Sequence, residues 1–361
     1  MVVLKSEFFD RLRLVSKKQF IMFSKIKYLL GLAFFLNACY SPNVEFSSNE
    51  TNLYGIKLDM GCLVGRPFGI IYLKPLLLFQ DPYDNQHITV FDTNKKQFVR
   101  RFLSKGTAPG EIVPPLRLFA SSKDKKIGIF QIQVGYLNIY EPNEILEKSQ
   151  ITTPEQIRFI DRPLNVKKLK DDYIGIGEFE DGRFRLYDSE GNIVASFGKY
   201  PFRGEEIERG GLSIIYQGSI CTSVDGNNFA MGSAYCDNLE FYRIVEGEGV
   251  LINKYGSHDA KAIFYGSQIR IDDDCIMNYK DAYGGRYCYM LYSGKTYKEG
   301  RYGGKRIIVF DWDGNYLKSY KVDVDIWSFC VDEENNILYA IAVDDNDETG
   351  GGFNIFQFNL I

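Results

Sequence analysis

The chain reads as all-β, and three features of its sequence carry that reading. Its 361 residues hold 25 Tyr, 27 Phe and 34 Gly against only 11 Pro, a balance of strand-forming rings and turn-forming glycines. Helix-period hydrophobic stretches are almost absent. A unit of apolar-x-apolar-aromatic residues, usually followed by an acidic residue and a turn, recurs with a period of about fifty residues, the spacing of blades or solenoid turns. Together these predict a six-bladed β-propeller with four-stranded antiparallel blades.

The N-terminus comes first in the chain and differs from the rest. Lys25 and Lys27 precede the nine-residue apolar run from Tyr28 to Leu36, and Leu36-Asn37-Ala38-Cys39 follows. A cationic region, a short apolar core and a small residue at the exit read as a cleaved secretory signal over residues 1–38. Nine apolar residues are too few to span a bilayer. Met22 makes a more typical signal start than Met1. The polar stretch 39–52 then reads as a linker, and 53–361 as the propeller.

The repeated units follow in order: Ile88 to Phe91-Asp92, Leu137 to Tyr140-Glu141, Phe184 to Tyr187-Asp188, Leu239 to Tyr242, Ile307 to Phe310-Asp311, and Phe353 to Phe356. Each alternates as a half-buried strand does. Each is preceded by a second apolar strand: Leu76 to Phe79, Ile127 to Ile132, Tyr173 to Ile176, Phe229 to Gly232, Tyr287 to Tyr292, and Ile337 to Val343. An outer strand ending in a ring follows, as in Phe98 to Phe102, Ile193 to Phe197 and Leu251 to Tyr255. The sixth unit ends too soon for its own outer strand, so the segment around Asn52 to Leu58 is expected to supply it and close the ring, removing two sheet edges. A two-sheet sandwich, the structural rival, lacks such a period.

Composition also limits function. With 43 basic and 47 acidic residues the net charge is −4, which gives no electrostatic basis for binding nucleic acid through its phosphates. His87 and His258 are the only histidines. No H-E-x-x-H, Cys/His zinc spacing, G-x-S-x-G elbow or Walker loop occurs, so hydrolysis through a histidine base is poorly supported.

Several motifs point to a family. The turn Phe102-Leu-Ser-Lys-Gly106-Thr-Ala-Pro109-Gly110-Glu111 resembles the G-x-G-P-G-E/Q turn between blades of NHL-type propellers, with Ala108 replacing one glycine. The stretches Tyr289 to Lys295, Ile308 to Asn315 and Ser328 to Tyr339 resemble the TolB-like six-bladed propeller lipoproteins of gut Gram-negative anaerobes, from about Leu53 to the chain end. Cys39 likewise resembles the lipidated cysteine of a bacterial lipobox, although Asn37 departs from the usual pattern. The resemblance implies a lipid anchor on the cell envelope, at the outer membrane and facing the periplasm. It implies no catalytic residues.

Two long loops, adjacent in ring order, carry the candidate ligand residues. The segment Gly294 to Gly304 offers Lys295, Lys298 and Arg301 with Tyr297 and Tyr302, and Asp344 to Gly352 offers Asp344, Asp345, Asp347 and Glu348. The structural reading is a set of ion pairs between the loops. The functional reading is a lip at the channel mouth that stacks a glycan or peptide on Tyr297 and Tyr302 and orients it with Lys295 and Arg301. Asp344, Asp345 and Asp347 with Asn346 also offer hard oxygen ligands for calcium, without EF-hand spacing. Asp272-Asp273-Asp274, Glu178 and Asp237 read as solvated turns and loops.

Six cysteines besides Cys39 remain. They read as buried free thiols, or as a framework in which a turn near Asp281-Ala282 sets Cys275 opposite Cys288. The functional expectation is an envelope scaffold that binds a small ligand or a partner protein. The alternative is a metal-dependent propeller enzyme, lactonase- or lyase-like, with a central cation.

Overall fold

Residues 46, 48–83, 85–121, 123–147, 154–200, 209–256, 262–265, 268–300, 303–343 and 352–361 are described in the computed structural model. The signal segment, Met22, Cys39, Arg301, Tyr302, Asp344, Asp345 and Asp347 lie outside them. Asn43 to Ile361 form one compact unit.

Six blades follow one another along this unit. Blade I comprises Phe68–Leu73, Leu76–Tyr83, Gln86–Asp92 and Gln97–Ser104, paired in that order. Blade II runs through Leu116–Ser121, Lys126–Gln131, Tyr136–Tyr140 and Glu155–Arg158, and blade III through Asn165–Lys168, Tyr173–Ile176, Phe184–Tyr187 and Ile193–Phe197. Gly218–Thr222, Asn228–Ser233, Leu239–Val245 and Glu248–Tyr255 make blade IV. A two-stranded ribbon, Ala262–Tyr265 with Gln268–Ile271, precedes blade V.

Blades V and VI share one strand. Tyr279–Gly284, Cys288–Tyr292 and Gly304–Phe310 lead into the 17-residue strand Tyr316–Asp332. Its first part pairs with blade V, Arg306 opposite Lys321, and its last part begins blade VI, Asp332 opposite Ile337. Ile337–Val343 and Phe353–Asn359 continue blade VI. The N-terminal segment then closes the ring: Ile56 pairs with Gln357 and Lys57 with Phe356, while Glu50–Leu53 runs parallel to Ser319–Val322. The sixth blade thus takes its outer strand from the other end of the chain, as the sequence implied.

The repeated aromatic of each unit packs one blade on the next. Tyr140 meets Phe102 at 6.1 Å, Tyr187 meets Phe159 at 4.9 Å, and Tyr242 stacks on Phe229 at 4.8 Å beside Phe184. Phe310 lies 5.2 Å from Phe241. Every blade face is covered by a neighbour, so strands two and three alternate between two apolar surfaces. The recurring aspartate after the ring is a turn cap. Asp188 accepts from the amides of Glu190 and Asn192, both at 2.9 Å, and Asp311 from those of Asp313 and Asn315, at 3.0 and 2.7 Å. Such an Asx turn fixes the hairpin without any functional demand.

The expected Cys275–Cys288 hairpin takes another register. Asp281 and Ala282 lie within the strand Tyr279–Gly284, opposite Leu291 and Met290, and the turn falls at 285–287 with Gly284 opposite Cys288. Gly285 and Arg286 supply the turn, because the Glu333 carboxylate accepts from the amides of Arg286 at 2.7 Å and Tyr287 at 3.2 Å. Cys62, Cys221, Cys236, Cys275, Cys288 and Cys330 are free thiols, and the Cys288 sulfur faces Cys221 at 3.6 Å.

Candidate functional site

The first strands of all six blades surround a central cavity of about 570 Å³. Apart from the long shared strand they are four to six residues long, and Arg117, Lys167, Ser219, Lys280 and Ser328 on them line the channel. Polar bonds from these strands, and from Gln80 on the second strand of blade I, tie blade to blade. Gln80 Nε2 donates to the Leu116 carbonyl at 3.4 Å, Lys167 Nζ to Leu118 O at 3.2 Å, and Ser219 Oγ to Lys280 O at 2.9 Å. Between blades III and IV the guanidinium of Arg183 pairs with Glu240, with side-chain exposures of 3% and 6%.

Blades V, VI and I meet at Asp281. Its carboxylate accepts from Ser328 Oγ at 2.6 Å, Phe329 N at 3.1 Å and Ala282 N at 2.9 Å. Ser328 Oγ in turn accepts from Ile70 N at 3.2 Å. Burial pushes the Asp281 carboxyl up, and its hydrogen bonds and the Lys167 ammonium act against that rise. Three donors hold it in place, so Asp281 braces the channel wall.

The channel is otherwise cationic. Among the described residues its wall carries Arg117, Lys123, Lys167, Lys168, Arg183 and Lys280, and Asp281 is the one carboxylate. Arg117 is wetted by the channel yet surrounded by protein, and this desolvation pulls its guanidinium down despite the attraction of Asp281. Lys167 is also pulled down, first by burial and further by Arg117, with Asp281 opposing. Burial brings Lys280 to about 8. Its ammonium lies 5.7 Å from the centre of the Tyr235 ring. Low-dielectric walls focus such like charges into a positive field, inside a chain whose net charge is −4.

The loop residues singled out from sequence fall elsewhere or beyond description. Lys295 Nζ pairs with Asp325 Oδ2 at 2.6 Å, on the long shared strand. Tyr297 meets the Tyr235 ring edge-on at 6.0 Å, and Tyr235 itself lines the cavity. The segment is held by Glu299, which accepts from Thr296 N at 2.7 Å and Thr296 Oγ1 at 2.9 Å. Asp272 caps its own turn by accepting from Asp274 N at 2.9 Å, and Glu178 accepts from Ser213 Oγ at 2.9 Å.

The residues missed from sequence are Arg117, Lys167, Lys280 and Asp281. A central calcium does not fit them. Hard cations require several convergent oxygens, whereas the channel offers one carboxylate already held by three donors and surrounded by ammonium and guanidinium groups. Among the described residues no cluster of three His, Cys, Asp or Glu side chains could hold a metal.

The TolB-like 6-blade propeller-like family model matches residues 45–334. The chain belongs to that family. No curated protein sequence matches it. Among solved structures, this TolB-like propeller is similar to a Bacteroides fragilis protein described provisionally as exported, at 15% identity and a TM-score of 0.54, covering 86% of this chain and 95% of that one. It is also similar to a member of the DUF4221 family from Bacteroides vulgatus, at 14% identity and a TM-score of 0.55, covering 85% and 96%. At these identities the likeness concerns the fold.

Proposed function

We propose that this TolB-like propeller is an exported binding protein of the cell envelope, anchored through lipid on Cys39 at the outer membrane, facing the periplasm. Its central channel takes a small ligand. The observation that carries the binding reading is the cavity of about 570 Å³ bounded by all six inner strands, a volume within the roughly 300–1,000 Å³ typical of small-molecule sites. Its wall mixes charged groups with the rings of Phe119, Tyr235 and Trp327. The anchoring part rests on the sequence from Lys25 to Cys39.

The test of binding is a thermal-shift screen of residues 43–361 against acidic and neutral sugars, small organic acids and peptides, because a ligand selective for the folded state raises Tm. A panel silent at millimolar concentration refutes the reading. Radiolabelled palmitate tests the anchor: label should enter the wild-type chain and be lost in Cys39→Ser, and equal labelling of both refutes it.

A second reading, a platform for an envelope protein, is favoured by one surface. Ile193 and Val194 on the outer strand of blade III are about half exposed, as are Val250 and Leu251 on that of blade IV. Crosslinking in intact envelopes should recover a partner that Val194→Asp with Leu251→Asp abolishes. An unchanged crosslink pattern refutes this reading.

A further inference from the structure

We propose that the channel is a site for a small organic dianion, gripped by Arg117 and Lys167 with Lys280 beside them. This rests on the channel-binding reading above and names its ligand class. The charge count motivates it. Arg117 and Lys167 stand in a wall whose one carboxylate among the described residues, Asp281, is already engaged by Ser328, Phe329 and Ala282.

The hydrogen bonding of the two central cations points the same way. Arg117 donates to one group, the Leu116 carbonyl, at 3.4 Å, and Lys167 to one, the Leu118 carbonyl, at 3.2 Å. Among the described residues neither has an ion-pair partner within 4.0 Å. A guanidinium has five N–H donors and an ammonium three, so most of their capacity faces the cavity. Asp281 cannot turn to meet them without releasing Ser328, Phe329 and Ala282.

Placing Arg117 and Lys167 in one cavity, where each acts on the other as a like charge, works against stability. A propeller needs nothing of the kind in its channel, and Gln80 and Ser219 show that neutral side chains tie blades together there. Two cations retained at such a cost fit a ligand that supplies the missing anions. The guanidinium fork suits a carboxylate, sulfate or phosphate through paired N–H bonds. The rings of Phe119, Tyr235 and Trp327 leave apolar wall for the body of the ligand.

The experiment is isothermal titration of residues 43–361 at pH 7 and fixed ionic strength, with the dianions succinate and glucose 6-phosphate against monoanionic glucose 6-sulfate and uncharged glucose. Wild type should bind a dianion, bind glucose 6-sulfate more weakly and give no heat with glucose. Which dianion binds separates the dicarboxylate from the phosphate source. Arg117→Met and Lys167→Met should each weaken that binding at least tenfold, and Ser219→Trp, which fills the channel, should abolish it. The two Met variants should melt no lower than wild type, since each removes a cation that costs stability, so lost binding is not lost fold.

Binding untouched by Arg117→Met and Lys167→Met places the anion elsewhere and overturns the proposal. Glucose or a peptide bound in a manner blocked by Ser219→Trp, with the anions silent, overturns the dianion class and leaves the channel-binding reading standing. Silence from every anion and every neutral ligand overturns both.

Discussion

Replacing Glu240 by alanine strips the Arg183 guanidinium of its carboxylate in a place where almost no water reaches. The side chains are 3% and 6% exposed. What remains for Arg183 is Ser233 Oγ at 3.3 Å, the Tyr216 carbonyl at 3.5 Å, and the faces of Phe184, Tyr200 and Tyr216 at 5.1–5.8 Å. Breaking a buried ion pair from one side costs about 3–5 kcal/mol. With an unfolding entropy near 2.1 cal/mol/K per residue, roughly 320 residues give about 0.7 kcal/mol/K, so Tm should fall by about 4–7 °C. Scanning calorimetry or urea unfolding of residues 43–361 reads this directly. The double variant Arg183→Met with Glu240→Leu exchanges the pair for apolar volume and should recover most of the loss. A Glu240→Ala cost below about 1 kcal/mol, or a double variant as unstable as the sum of its parts, would refute the view of this pair as a closed staple between blades III and IV.

Two further outcomes follow from the geometry. Lys280 sits at about 8 when folded and near 10.4 when unfolded, so below pH 8 it is charged in both states and its desolvation cost is fully present. Between about pH 8 and 10 the folded state sheds the proton first and the cost fades; Lys280→Met should therefore raise Tm at pH 7 and lose that advantage by pH 10, and a pH-independent difference would contradict it. Leu53, 4% exposed, plugs the closing strand into the core shared by blades V and VI. Leu53→Ala should cost about 2–5 kcal/mol and speed amide exchange first in Tyr316–Asp332 and Phe353–Asn359, and uniform exchange around the ring would count against a closure that depends on the N-terminal strand.

The parts of the propeller legible in the sequence are those pressed between two blades. Strands such as Gln86–Asp92 and Leu239–Val245 must satisfy an apolar neighbour on each face, and their closing ring marks them at every repeat. The inner strands have a neighbour only in part, because the channel brings water to their polar side chains. Leu116-Arg117-Leu118 and Asn165-Val166-Lys167 therefore look like ordinary half-exposed segments, and Arg117 and Lys167 like surface charges. Only ring closure brings them to one cavity with Lys280. The available signal was positional: a cation in the strand preceding each recognised second strand in blades II, III and V. Asp281 was misread for a related reason, since an Asp-Ala pair between two cysteines resembles a turn until Glu333, far along the chain, sets the hairpin tip elsewhere. The loops stood out by length and charge, and of their residues Lys295 pairs with Asp325 on the shared strand.

The shared strand Tyr316–Asp332 also dictates an order of events for the newborn chain. Residues near the start, Phe46 and Asn49 among them, find partners on Ser319 and Leu317, 273 and 268 positions later. Closing so long a loop is slow compared with forming a hairpin. As the chain is made blades I to IV can each collapse in turn, but the first strands must wait, unpaired, for nearly the whole polypeptide. The newly made ring therefore passes through an open arc with bare edges, the stage at which it is most exposed to mispairing and to any chaperone that covers strands. Once the last residues arrive, Glu50–Leu53, Ile56–Lys57 and Phe353–Asn359 are held by one continuous sheet, and releasing any of them requires that sheet to part.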